Sequence, residues 1–190
     1  VEGNRNRTLM INDGEVNAAL AGVAAYVDGH GNSTVLANNG EINAGLLGAG
    51  AFADGNFNRV VVANNGEINA GGAGLLGGVN GDRNRVLVDN DGDINAIGVG
   101  AGLFVDGDRN QGRLINTASI DSGVLGMAAF VNGDRNQVLA LNTDTGVVNS
   151  IGAGMAGHVE GNRNRTLMIN DGEVNAALAG VAAYVDGHGN

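Results

Sequence analysis

Residues 81–94 read Gly81-Asp82-Arg83-Asn84-Arg85-Val86-Leu87-Val88-Asp89-Asn90-Asp91-Gly92-Asp93-Ile94, an aliphatic run closed at both ends by Gly, Asn and Asp. Such runs between Gly and Asn clusters are strand and turn signals, and helix is a poor account of so much Gly, Asn and Val. The stretch recurs along the whole chain. Its opening glycine returns as Gly3, Gly29, Gly55, Gly81, Gly107, Gly133, Gly161 and Gly187, a step of 26 residues broken once by a step of 28. Its closing motif keeps the same phase, as Asn12-Asp13-Gly14-Glu15-Val16-Asn17-Ala18 and again from Asn38, Asn64 and Asn90. Self-similarity at a fixed period of this length marks a repeat architecture.

The expectation is an all-β chain, a parallel β-solenoid (β-helix) of about seven coils with three short strands per coil. One continuous domain then covers 1–190, with coils at 1–26, 27–52, 53–78, 79–104, 105–130, 131–158 and 159–184 and a partial coil at 185–190. The two extra residues of the sixth coil fall within 142–150 and read as a corner bulge. Residues 1–32 and 159–190 are letter-for-letter identical at an offset of 158, which predicts a tandem array of 158-residue units. The chain starts and stops inside recurring motifs, so continuation or head-to-tail association is expected.

Strands at the same coil position stack about 4.8 Å apart, so each side chain sits over its counterpart 26 residues away. In the first segment, Asn6 to Asn12, alternation separates Asn6, Thr8, Met10 and Asn12 from Arg7, Leu9 and Ile11. Charges tell the sides apart. The Leu9 column contains Arg113 and the Ile11 column contains Asp89, whereas the Met10 column reads Leu36, Val62, Val88, Leu114 and Ala140. The Met10 column is therefore predicted to face the core. Two unbroken asparagine columns share its parity and are predicted to form structural amide ladders at two corners. One is Asn6, Asn32, Asn58, Asn84, Asn110, Asn136 and Asn164; the other is Asn12, Asn38, Asn64, Asn90, Asn116, Asn142 and Asn170.

The second segment supplies one large core residue per coil, Val16, Ile42, Ile68, Ile94, Ile120 and Val148. Beside it Glu15, Glu41, Glu67 and Asp93 form an outward acidic column. Stacked carboxylates repel unless screened; they are candidate calcium ligands, or a solvated edge that deters mispairing. The third segment, about Ala19 to Tyr26, is rich in Gly and Ala on both parities and gives no reliable direction. Its column Gly22, Gly48, Gly74, Gly100, Gly126, Gly154 and Gly180 serves either a special backbone angle or a close approach. Aromatics gather in one column, Tyr26, Phe52, Phe104, Phe130 and Tyr184, interrupted by Gly78 and His158. Stacking within the column is the expected use, and a carbohydrate platform is the alternative.

Composition bounds the partners. Ten Arg and no Lys face 20 acidic residues for a net charge of −10, which argues against nucleic acid. Pro, Cys and Trp are absent, so disulfides and thiolate metal sites are excluded, and the apolar runs are too short and Gly-interrupted for a transmembrane helix. The three histidines, the serines and the repeated carboxylates assemble no nucleophile elbow or isolated acid pair, and the chain is not expected to be an enzyme.

The run 81–94 resembles the Gly/Asn-rich parallel β-helix repeats of autotransporter passenger domains and giant bacterial adhesins, Gly-x-x-Asn-x-hydrophobic-x-hydrophobic-x-Asn-x-Gly-x-Ile, and the likeness covers the whole chain. Curli-type amyloid repeats are a looser resemblance through the Gly-x-x-Asn spacing. The resemblance implies a secreted or cell-surface, extracellular structural region: an elongated stalk or self-assembling fibre for adhesion or biofilm matrix. The alternative is an adhesin module that binds glycan or a host surface, with 112–122 and 143–147 as the patches that break the column regularity. No cofactor is expected beyond the candidate calcium. Self-association is expected end to end and sideways, the latter through the outward apolar columns Leu9, Val35, Val61, Leu87 and Leu139 and Ile11, Ile115 and Leu141.

Overall fold

The computed structural model describes residues Val1–Asn190 and contains no helix. The first coil comprises β1 (Arg7–Asn12), β2 (Glu15–Ala18) and β3 (Ala21–Asp28). The triplet recurs in seven turns, ending with Arg165–Asn170, Glu173–Ala176 and Ala179–Asp186. Like strands stack into three seven-stranded parallel sheets. Register follows the repeat, Arg7 on Ser33 and Asn12 on Asn38 in the first pair, and Gln137 on Arg165 across the longer coil. The chain is a β-solenoid of about seven turns.

With few bulky side chains, order comes largely from the 138 backbone–backbone hydrogen bonds, which leave little of each inner coil's main chain unpaired. The core is a single thin column. Leu36, Val62, Val88 and Leu114 from the first sheet and Ile42, Ile68 and Ile120 from the second are fully buried. The third sheet adds Ala49, Leu75, Ala101, Met127 and Met155. Size is balanced across the interior, because a Cβ on Gly112 would lie 2.8 Å from Leu103, and one on Gly77 would lie 2.5 Å from Val88. A large side chain on one sheet thus faces a glycine on another.

Two boundaries differ from the sequence reading. The third strand is Ala21–Asp28, not a segment closing at Tyr26, so the coil limits at 26/27 cut through a strand. Val27 is fully buried and Asp28 pairs with Asp54, and the turn begins only at Gly29, whose φ is 125°. Asn6 lies in the corner before β1 instead of in a strand. The two extra residues of the sixth coil form a turn at the corner, closed by the Gly146 N–H donating to the Thr143 carbonyl at 2.9 Å, while the strands on either side keep their register.

The Gly22 column has no left-handed φ at any position. Close approach is the reason for it: a Cβ on Gly100 would meet the Ile120 methyl and lie 2.7 Å from the Gly126 carbonyl oxygen. The true left-handed corner is elsewhere. Gly31 and Gly189 adopt φ of 68° and 70°, and Arg5, Phe57, Arg83, Arg109, Arg135 and Arg163 take the same conformation at 57–60°. A non-glycine residue there costs about 1–2 kcal/mol, so arginine is kept at this corner against the backbone preference.

Candidate functional surfaces

The polar chemistry of the chain is arranged in columns. At the Asn12 corner each Nδ2 donates to the Oδ1 one coil on, from Asn12 through Asn38, Asn64, Asn90, Asn116 and Asn142 to Asn170, at 2.8–2.9 Å. The second amide hydrogen reaches turn carbonyls such as Gly40 and Gly66. All these bonds run the same way, so the amide dipoles align and reinforce one another. The longer coil leaves the ladder intact.

The Asn6 corner works differently from the amide-to-amide ladder expected of it. The backbone N–H of Asn6 donates to Oδ1 of Asn32, and so on through Asn58, Asn84, Asn110, Asn136 and Asn164, at 2.7–2.9 Å. The left-handed residue before each asparagine turns that N–H along the stack, where only a side-chain oxygen can meet it. The side-chain N–H groups turn to carbonyls of the preceding coil, Asn58 to Gly29 and Asn110 to Gly81; those of Asn32 and Asn84 have no partner.

Further coil-to-coil bonds lie outside the expected columns: at the far edge of the first sheet Asn39 donates to Asp13, Asn65 to Asn39 and Thr117 to Asp91. Asn4, His30, Asn56, Asp82, Asp108, Asp134 and Asn162 each accept the next coil's backbone N–H at 2.6–3.0 Å. His30 does so through Nδ1, which places its proton on Nε2. The signal was the restriction of that column to short acceptors, Asn, Asp and His. On the outside of the second sheet, Asn43, Asn69 and Asn95 each donate to the asparagine of the coil before.

The acidic column is bent along its own strands. Glu15, Glu41 and Glu67 each accept from the asparagine two residues on, at 2.7, 2.8 and 3.0 Å, and Asp93 sits exposed ahead of its strand. No three acidic or histidine side chains converge on one point here or elsewhere. In the aromatic column Phe104 and Phe130 stack 5.1 Å apart at 7° and His158 and Tyr184 stack 4.9 Å apart at 15°, whereas Phe130 and His158, also on neighbouring coils, are tilted by 40° at 6.4 Å. Across Gly78, Phe52 and Phe104 meet at 6.4 Å and a tilt of 43°. An open groove of about 830 Å³ follows the corner between the second and third sheets, lined by Ala44, Ala70 and Ala96 with Asn43, Asn69 and Asn95.

The outward side of the first sheet carries the apolar stripe. Leu9 and Ile11 are exposed, and Val35, Val61, Leu87, Leu139, Ile115 and Leu141 are half-buried by their own stacked neighbours. Two charges interrupt it. Asp89 sits among aliphatic neighbours, and its carboxyl is pushed up by burial and by Asp91, with Arg113 opposing. All ten arginines stand on this sheet or at the corner before it, and no arginine side chain makes a hydrogen bond or ion pair within the chain; the one ion-pair contact is His158 with Glu160. No family model, no curated protein and no solved structure matches this chain.

Proposed function

We propose that the chain is a structural repeat region of a secreted bacterial surface protein, an elongated stalk or self-assembling extracellular fibre. The observation that carries this reading is the consumption of polar side chains by ladders running from coil to coil, which hold the stack together and leave no isolated constellation of reactive groups. Secretion and the bacterial surface follow from the resemblance of the repeat to autotransporter and adhesin β-helices. Growth along the axis follows from identity: the seventh coil repeats the first letter for letter, so a coil of the second coil's type can stack on it as it stacks on the first. Growth sideways uses the apolar stripe of the first sheet.

The test is assembly as a function of concentration, by sedimentation and negative-stain microscopy. Species that lengthen with concentration at constant or doubled width are expected. A strictly monomeric particle at millimolar concentration would overturn the fibre reading.

A further inference from the structure

We propose that the first sheet's outer face binds a second copy of this chain side by side, with both axes pointing the same way and equal coils at equal heights. This rests on the sideways association proposed above and adds its partner, polarity and register. The face has three bands. Arg7, Arg59, Arg85 and Arg165 edge the apolar stripe on one side, and Asp13, Asp91 and Asp171 edge it on the other. Face-to-face packing with parallel axes, related by a two-fold axis along the stack, sets each copy's arginine edge against the other's acidic edge. Antiparallel packing sets like edges together, which repels.

The charges are also matched coil by coil. The first, fourth and seventh coils carry both members, Arg7 with Asp13, Arg85 with Asp91 and Arg165 with Asp171. The second, fifth and sixth carry neither, having Ser33 with Asn39, Gln111 with Thr117 and Gln137 with Thr143. The third coil, Arg59 with Asn65, is the exception. Members of a pair are six residues apart on an extended strand, about 20 Å, beyond reach of each other within one chain. A two-fold at equal height brings every such aspartate opposite the arginine of its own coil in the second copy.

The two charges inside the stripe fit the same arrangement. Arg113 and Asp89 occupy neighbouring columns one coil apart, and they are not ion-paired within the chain. The two-fold exchanges the columns, so Arg113 of one copy stands one rung from Asp89 of the other. The two-fold makes two such contacts, and opposite charges in the middle of otherwise apolar rows favour registers that keep them close, which adds to the coil-by-coil matching of the edges. Only a partner with the same rise keeps step over seven rows. The face measures about 34 Å by about 20 Å, roughly 700 Å² per copy, near the ~800 Å² each partner gives to a standard interface.

The chain has no cysteine, so single substitutions report the geometry. Mixing Val61→Cys with Ala63→Cys chains should give the mixed disulfide, because the two-fold opposes these columns in one coil. Leu87→Cys, in the middle coil, should link to itself only in an antiparallel pair. Asp91→Arg should weaken side-by-side association about tenfold, and adding Arg85→Asp should restore it. A self-linked Leu87→Cys with no mixed disulfide overturns the parallel polarity while sideways association stands. Loss of association in the Arg85→Asp/Asp91→Arg double variant overturns the register. No side-by-side species at millimolar concentration, with retention of the chain on a sulfated polysaccharide through its arginine edge, overturns the face as a self-interface.

Discussion

Replacing Val88 by glutamate is expected to unfold the solenoid, while the same change at its neighbour Leu87 leaves it folded. Val88 is fully buried between Val62 and Leu114 in the first sheet, and no cation lies in the core to meet a carboxylate. Burying an unpaired charge costs roughly 3–5 kcal/mol, a large share of the stability of a thin single-column core. Leu87 points outward, where glutamate stays solvated and places a charge beside Asp89 on the proposed interface. Circular dichroism should therefore lose the β signal for Val88→Glu and keep it for Leu87→Glu, and Leu87→Glu should weaken sideways association. A folded Val88→Glu variant would mean that the inner and outer sides of this sheet are exchanged.

Gly100→Ala is the second large effect. The added methyl would overlap the Ile120 side chain and sit 2.7 Å from the Gly126 carbonyl, and a backbone group fixed in a parallel ladder cannot rotate away. Overpacking of this kind costs about 3 kcal/mol. Gly180 is the internal control, because it holds the same coil position but nothing lies within 4 Å of its Cβ direction. Thermal unfolding should show a large loss for Gly100→Ala and almost none for Gly180→Ala. Equal losses at both would assign the column to a backbone-angle requirement instead of close approach.

The architecture was legible because a solenoid writes each structural position many times. Seven samples of one column show whether charge is tolerated there, and Asp89 and Arg113 against an uncharged Met10 column sufficed to orient the first strand. The third strand stayed unreadable for a physical reason. Its outward positions include Gly50, Gly102 and Ala128, small residues covered by neighbouring side chains such as Leu47 and Leu76, so both parities are apolar and both are buried. The Asn6 corner is visible in the sequence but its bonding is not, because a left-handed arginine gives no composition signal where glycine would. The Asn4 column carries only a weak sequence signal, because Asn, Asp and His share little beyond the ability to accept a hydrogen bond at short reach. The pairing of Arg85 with Asp91 emerges only when the outward columns are read coil by coil on a known face.

Residues one repeat apart in sequence, 26 in most coils and 28 in one, stand one rung apart in space. Spin labels attached to cysteines at paired positions of one outward column test it on the dilute chain. Arg7 with Gln111, Arg7 with Gln137 and Arg7 with Arg165 span four, five and six coils of the first sheet. Pulsed dipolar spectroscopy should give distances near 19, 24 and 29 Å, rising by about 4.8 Å for each added coil. Distances that fail to rise in equal steps, or a broad distribution that lengthens with sequence separation as in an unstacked chain, would contradict the account.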